Sequence, residues 1–310
     1  MSVLDAKHFH DEAAAYRFVE AHVWPEGRVC PHCGVVGNSG KLKGKSTRVG
    51  VHKCYACRKP FRVTVGTIFE SSHIKLHVWL QAIFLLSSSK KGISSNQLAR
   101  TLGVTLKTAW FLSHRVREAM RDTGAAGLLG GENRVIEADE TYMGPKDWQF
   151  VSGKGWRGRQ GTGGKVKVLT LVERGGRARS IKADHLTAVD VRKFVLQNAS
   201  TKSELHTDEA MHYRHLGKEF AKHQRINHGN EEYARGPVTT NNVEGFFSVF
   251  KRGMRGVYQH CGEQHLQRYL NEFDFRFSNR ASLEVDDVER ARRALIGIVG
   301  KRLTYETTRA

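Results

Sequence analysis

The stretch RVIEADETYMG, residues 134–144, decides how the rest of the chain is read. Val135, Glu137, Asp139 and Thr141 alternate with Ile136, Ala138, Glu140 and Tyr142, and this period of two predicts a β-strand. Asp is disfavoured within strands, so Asp139 in mid-strand calls for a reason. Working outward, KVKVLTLVE (165–173), ARSIKADHL (178–186) and SELHTDE (203–209) are the next predicted strands. Between them TAVDVRKFVLQNA (187–199) reads as a helix starting at Thr187, with Asp190 three residues later as a capping box. Beyond residue 209 the pattern is helical, in NVEGFFSVFKRGM, EQHLQRYLNEFDFRF and VDDVERARRALIGIV. An α/β domain over residues 130–282 is predicted, with a C-terminal helix and tail over 283–310.

Composition narrows the function. A chain of 310 residues has room for two or three domains, and 39% hydrophobic with 26% charged residues predicts packed globular structure. The net charge of +19 and pI near 9.9 favour a polyanionic partner, nucleic acid or an anionic membrane. A membrane is the weaker choice. The longest apolar stretch, LHVWLQAIFLL (76–86), falls far short of the roughly 20 residues that span a bilayer. The N-terminus shows no secretory h-region, so a cytoplasmic location is expected.

Four of the five cysteines fall as Cys30-Pro-His-Cys33 and Cys54-Tyr-Ala-Cys57, with Cys261 alone. Two CxxC turns facing each other supply four thiolates to one tetrahedral Zn²⁺, so a structural zinc ribbon is predicted over 28–70, after an N-terminal helix within 1–27. His32 and His52 flank the ligands and are expected outside the coordination shell. Residues 71–122 are helical. Within them GISSNQLARTLGVTLKTAWFLSHRVREAM has the layout of a helix-turn-helix, with Ser94 or Ser95 as a cap, Gly103 at the turn, and Ala109, Leu112, Val116 and Met120 packed inward. Thr105, Lys107 and Thr108 would then face a major groove, with His114, Arg115 and Arg117 nearer the phosphates. TGAAGLLGGEN (123–133) reads as a linker.

The Gly-rich stretch VSGKGWRGRQGTGGK (151–165) fails as a nucleotide-binding loop, because Val166 rather than Ser or Thr follows Lys165 and the glycine spacing is wrong. A flexible basic loop between strands is expected instead. Lys154, Arg157, Arg159 and Lys165 would grip phosphates, and Trp156 would stack on a base.

Three acids carry the chemistry. Asp139 lies in a strand, Asp208 ends the strand LHTDE, and Glu244 opens a helix in TTNNVEGFFSVFKRG (239–253), with 35 residues between Asp208 and Glu244. Carboxylates so ordered can hold two divalent ions, which activate a water or a 3′-hydroxyl and stabilise the leaving oxygen of phosphoryl transfer. Alone, Glu244 reads first as the partner of Asn241 in a capping box. With the two aspartates it reads as a ligand, sharing a helical face with Phe247, Ser248 and Lys251.

With IEADETYMG, HTDEAMHY, TTNNVEGFFSVFKRGMRGVY and HLQRYLNEFDFRFSNR in view, the chain resembles the DDE transposases of bacterial insertion sequences. The resemblance is to the branch that joins an N-terminal zinc ribbon to a retroviral-integrase-like, RNase H-like catalytic domain. It implies a mixed five-stranded sheet flanked by helices, two catalytic Mg²⁺ ions (Mn²⁺ being an alternative), and cleavage and strand transfer at the inverted repeats of transposon ends. It further implies double-stranded DNA as partner, at the ends and the target, a homodimer or larger synaptic assembly, and the bacterial nucleoid as location. Asp139 and Asp208 match the first two metal ligands. Lys251, with Arg252 beside it, matches the cation on DNA near the scissile phosphate. Glu244 is taken as the third ligand, with Asn241 as the alternative. The competing readings are a DNA-binding regulator with an inactive catalytic fold and a structure-specific nuclease.

Overall fold

Asp11 accepts the Ala14 N–H and so starts helix α1 (Glu12–Val23), which buries Ala15 and Val19. In this computed structural model residues 2–144, 148–153, 155–158, 165–230, 232, 234–259 and 261–304 are described. They form two compact units, Met1–Arg121 with Glu284–Ala310, and Asp122–Leu283. In the first unit, strands β1 (Ser39–Lys41), β2 (His52–Cys54) and β3 (Pro60–Phe61) pair antiparallel in that order. Helix α1 holds them through His52 Nε2 and Glu20 Oε1, 3.0 Å apart, and through Trp24 set edge-on to Phe61. Helices α2 (Leu76–Ser88), α3 (Ser95–Leu102) and α4 (Leu106–Met120) follow. Their ends lie where the sequence signals place them. Ser94 caps α3 from the Gln97 N–H, Gly103 ends it in the left-handed region at φ 64°, and Thr105 caps α4 from the Thr108 N–H. Leu98, Ala109, Leu112, Val116 and Met120 are buried, as their expected inward positions require.

The second unit is built on β4 (Val135–Met143), the strand containing Asp139. A two-stranded hairpin, β5 (Trp148–Val151) and β6 (Gly155–Gly158), precedes β7 (Val166–Glu173) and β8 (Ala178–Ala183). Helix α5 (Ala188–Asn198) starts with the predicted Thr187–Asp190 capping box. Strands β9 (Glu204–Thr207) and β10 (Lys222–Arg225) and helices α6 (Asn241–Gly253) and α7 (Leu266–Ser278) complete the unit. The sheet order is β10-β9-β4-β7-β8. Strands β4, β7 and β8 form an antiparallel meander, while β9 is parallel to both β4 and β10. A central first strand with this mixed arrangement is the RNase H-like fold.

Alternation along the strands sends apolar side chains to both faces. Ile136, Ala138, Leu169, Leu171 and Leu205 pack with Val191, Phe194 and Val195 of α5. On the opposite face Val168 and Val172 pack with Val243, Phe246 and Phe250 of α6 and Leu270 and Phe273 of α7. Two expectations are corrected here. The stretch after residue 209 is not wholly helical, because KHQR (222–225) adds an edge strand whose pattern shows no alternation of buried and exposed residues. The expected loop over 151–165 is in part the β5–β6 hairpin, turning at Ser152 and Gly153.

The last helix, α8 (Asp287–Ile296), belongs to the first unit, so the C-terminal segment is not a body of its own. Arg290 donates to the Ser87 carbonyl at the end of α2, and Lys301 Nζ donates to the carbonyls of Ala119 (2.8 Å) and Arg121 (2.6 Å) at the end of α4. Cations at helix C-termini complement the exposed carbonyls and the helix dipole. Among the described residues no helix is long and apolar enough to cross a membrane. Phe250 is fully buried and sits edge-on to Phe273, at centroids 5.1 Å apart. Phe250→Ala is therefore expected to cost about 3–5 kcal/mol of the second unit's stability, measured as a lowered denaturant midpoint for that unit.

Candidate active site and zinc centre

The zinc centre is formed by two turns. Gly34 N–H donates to the Cys30 carbonyl, and the Cys54 N–H donates to the Lys59 carbonyl, folding each CxxC around its thiols. The four Sγ atoms lie within 4.8 Å of one another, with Cys30–Cys57 and Cys33–Cys54 at 3.7 Å. A tetrahedron with Zn–S near 2.3 Å has sulfur edges of about 3.8 Å, so the thiols are spaced for Zn²⁺. His52 bonds to Glu20 and His32 lies 3.3 Å from the Pro60 carbonyl, both outside the cluster as expected. Cys261 is half-buried beside the Gly262 carbonyl.

The acidic site follows from strand register. Parallel pairing sets Val135 beside Glu204 and Glu137 beside His206. Two residues further along each chain stand Asp139 and Asp208. The carboxylate oxygens of Asp139, Glu140 and Asp208 lie within 4.8 Å of one another. Glu140 is an acid that sequence reasoning did not single out. It leaves the opposite face of β4 and is held by Tyr213 Oη (2.9 Å) and His212 Nε2 (3.1 Å). The signal lay in the paired acids Asp139-Glu140 together with the His-Tyr of HTDEAMHY.

Crowding raises the pKa of both aspartates. Burial, then Glu140, Asp208 and Glu244, push Asp139 up to about 8. Burial, with Glu140 and Glu209 adding, raises Asp208 against the Ala210 N–H that it accepts. Burial works against a charged His212, but Glu140 and Asp208 outweigh it and hold its pKa above the ordinary value. An all-oxygen donor set under this mutual repulsion fits a hard divalent cation, which replaces the repulsion by attraction.

Glu244 stands outside the group of three, half-exposed on the first turn of α6. Its Oε1 accepts from Thr240 Oγ1 at 3.0 Å and lies 3.5 Å from His228 Nε2. Its charge is nonetheless felt at Asp139. The capping-box reading of Asn241 and Glu244 is corrected: Asn241 is the first helical residue, Thr240 occupies the cap position, and Thr240 makes no capping bond of its own. Asn241 is exposed, with its N–H on Thr239 Oγ1. The predicted shared face also changes, because Phe247 is buried in the core while Glu244 and Ser248 are exposed. Lys251 is half-buried. Burial and Arg255 lower its pKa, and the Asp139 charge opposes them.

The expected DNA-facing residues divide. Thr105 and Lys107 are exposed at the start of α4 and Thr108 is half-buried. Arg115 and Arg117 are turned inward, against expectation, with His114. Arg115 donates to the Glu70 carbonyl at 2.6 Å and stacks near Trp79, while Arg117 donates to Ser113 Oγ at 2.9 Å. They sit on the face of α4 that packs into its own unit, where each charge finds an internal acceptor or ring. In the insert, Lys154 and Arg159 lie outside the described residues. For Trp156 and Arg157 only the backbone is described, in β6. Lys165 is half-buried just before β7.

An RNase H-like sheet carrying clustered acids, preceded by a zinc ribbon, defines a metal-dependent nucleic-acid phosphoryl-transfer protein. Residues 128–278 match the ISXO2-like transposase domain, and residues 10–60 match the transposase zinc-ribbon domain. The chain belongs to the insertion-sequence DDE transposases that carry an N-terminal zinc ribbon. It is 26% identical over 288 residues to an uncharacterized protein in transposable element ISH50 of Halobacterium salinarum, covering 88% of this chain and 93% of that one. Among solved structures, a pre-cleavage Mos1 transpososome aligns at 12% identity over 70% of this chain and 74% of that one, with a TM-score of 0.30. The Mos1 strand transfer complex aligns at 14% identity over 70% and 73%, also at 0.30. The family makes the protein a transposase that acts on DNA, with zinc in the ribbon and magnesium as the catalytic cation.

The raised pKa of Asp139 has a consequence for stability. Between the ordinary Asp value, near 4, and about 8, the folded state binds a proton that the unfolded state has released. The metal-free protein should therefore lose stability as pH rises through that window. Asp139→Asn should raise the melting temperature of zinc-loaded, magnesium-free protein at pH 8 and leave it little changed at pH 4. A substitution that changes melting equally at both pH values would contradict the charge repulsion. Stripping zinc with a chelator should unfold residues 28–70, seen as loss of amide protection there.

Proposed function

We propose that Asp139, Asp208 and Glu244 hold the catalytic Mg²⁺ and that Lys251 and Arg252 grip the DNA strand being cut. The observation that carries this reading is the register of β4 on β9, which sets Asp139 beside Asp208, and the charges of Glu244 on Asp139 and of Asp139 on Lys251 support it. Bound there, magnesium supplies a Lewis acid and an activated oxygen nucleophile for in-line attack on a phosphodiester. The protein's own residues orient that reaction. Asp139 and Asp208 fix the site on the rigid sheet, Glu244 closes it from α6, and the Lys251 amine faces the strand's negative charge. Glu244 is favoured over Asn241 because it is a carboxylate whose charge acts on Asp139, whereas Asn241, on the same exposed turn, brings no charge to a cation.

We infer that the substrates are the inverted repeats at the ends of an insertion sequence, followed by a target duplex. Cutting and joining two ends calls for at least two copies of the chain, and a homodimer is the simplest such assembly. Thr105, Lys107 and Thr108 at the exposed start of α4 are the candidates for reading the repeats, with the basic residues of the hairpin as further phosphate contacts.

The test is cleavage of a duplex containing the inverted repeats that flank the gene, in Mg²⁺. Asp139→Ala and Glu244→Gln should each lower the cleavage rate on the order of 10³-fold with end binding retained. Asn241→Ala should cleave near the native rate. End binding without cleavage by the native protein would favour a DNA-binding regulator. Cleavage blind to the repeat sequence would favour a structure-specific nuclease.

A further inference from the structure

We propose that Glu137 is a positioning residue that caps α6 from outside the helix and so fixes Glu244 and Lys251 relative to Asp139. This rests on the reading of those three residues as parts of one catalytic site. The first N–H groups of a helix have no intrahelical acceptor, and a side chain of the preceding residue ordinarily supplies one. Thr240, at that position here, makes no such bond. The acceptor comes from the sheet. Glu137 Oε2 accepts the N–H of Asn242 at 2.7 Å and of Val243 at 3.1 Å, the second and third residues of α6.

The other oxygen is as fully engaged. Glu137 Oε1 accepts from Asn242 Nδ2 at 2.7 Å and from Arg174 Nη2 and Nε at 2.8 and 3.2 Å. The Glu137 side chain is fully buried. A buried carboxylate is tolerable only with such a set of donors, and an amide or methyl in its place cannot satisfy them all. Arg174 extends the grip, donating to the carbonyls of Pro237 (2.9 Å) and Thr239 (3.3 Å) in the segment leading into the helix.

The placement makes this more than a packing contact. Glu137 is held in mid-strand, paired with Val172 on one side and His206 on the other. Asp139 is two residues along the same face of β4. Glu244 is one residue beyond Val243, whose N–H the carboxylate accepts. One carboxylate thus ties the strand that carries the first acid to the first turn of the helix that carries the third. The dipole of α6 adds to the attraction. Displacements of about 1 Å at a reacting centre cost on the order of 100-fold in rate.

The experiment compares full-length, zinc-loaded Glu137→Gln with native protein for cleavage of the flanking inverted-repeat duplex across a Mg²⁺ titration. Melting temperature and end-binding affinity are measured in parallel. Glu137→Gln is expected to bind ends within about twofold of native, to cleave about 100-fold more slowly at saturating Mg²⁺, and to need more Mg²⁺ for half-maximal rate. Native cleavage and Mg²⁺ dependence, once scaled to the folded fraction, would overturn the inference. Should Glu137→Gln fail to fold, Asn242→Ala removes a single bond from the same carboxylate. It is expected to shift the Mg²⁺ requirement in the same direction, and a native Mg²⁺ curve would again overturn the inference. Asp139→Asn and Glu244→Gln serve as controls for the site itself. If these cleave normally, the site reading has failed; if they are inactive while Glu137→Gln is native, only the positioning role has failed.

Discussion

The parallel pairing of β4 with β9 is the constraint on which the second unit depends. It joins two segments far apart in sequence and sets their registers, so that acids two residues beyond the paired stretch meet at one end of the sheet. A one-residue slip would turn Asp139 to the other face and bring Ala138 or Glu140 into its place. The apolar sets on the two faces forbid that slip, because Ile136 and Ala138 are committed to the α5 core. Packing therefore secures the chemistry. The same hydrophobic alternation that drives folding holds mutually repelling carboxylates together.

That arrangement has a thermodynamic cost of its own. Asp139 and Asp208 destabilise the folded state wherever they are ionised without a cation, which is the ordinary relation between an active site and its scaffold. Compensation is visible nearby, in the Tyr213 and His212 donors to Glu140 and the N–H of Ala210 on Asp208. The zinc ribbon solves a different problem. Its strands are two or three residues long, too short to bury a core, and four thiolates supply through a metal what apolar area cannot.

Much of this was legible in the chain. Period-two runs marked β4, β7, β8 and β9, cap signals at Ser94 and Thr187 marked helix starts, and the CxxC pairs marked the zinc centre. Asp139 and Asp208 were legible because acids are out of place in or at the end of apolar strands. Other features were not, for physical reasons. KHQR forms β10 through backbone pairing at a sheet edge, where side-chain alternation is not required. Arg115 and Arg117 read as phosphate contacts because charge alone does not show which face of α4 is buried. The cap of α6 was misassigned to Asn241 because its acceptor, Glu137, lies more than a hundred residues earlier, and no local pattern reports such a contact.

The central claim is that position 139 is a ligand to the cation that supports DNA cleavage. Its most direct test is a metal-specificity switch in Asp139→Cys, since a thiolate is a poor ligand for Mg²⁺ and a better one for Mn²⁺. The account predicts that this variant is inactive on inverted-repeat DNA in Mg²⁺ and regains cleavage in Mn²⁺. Cleavage in Mg²⁺ at the native rate would contradict it.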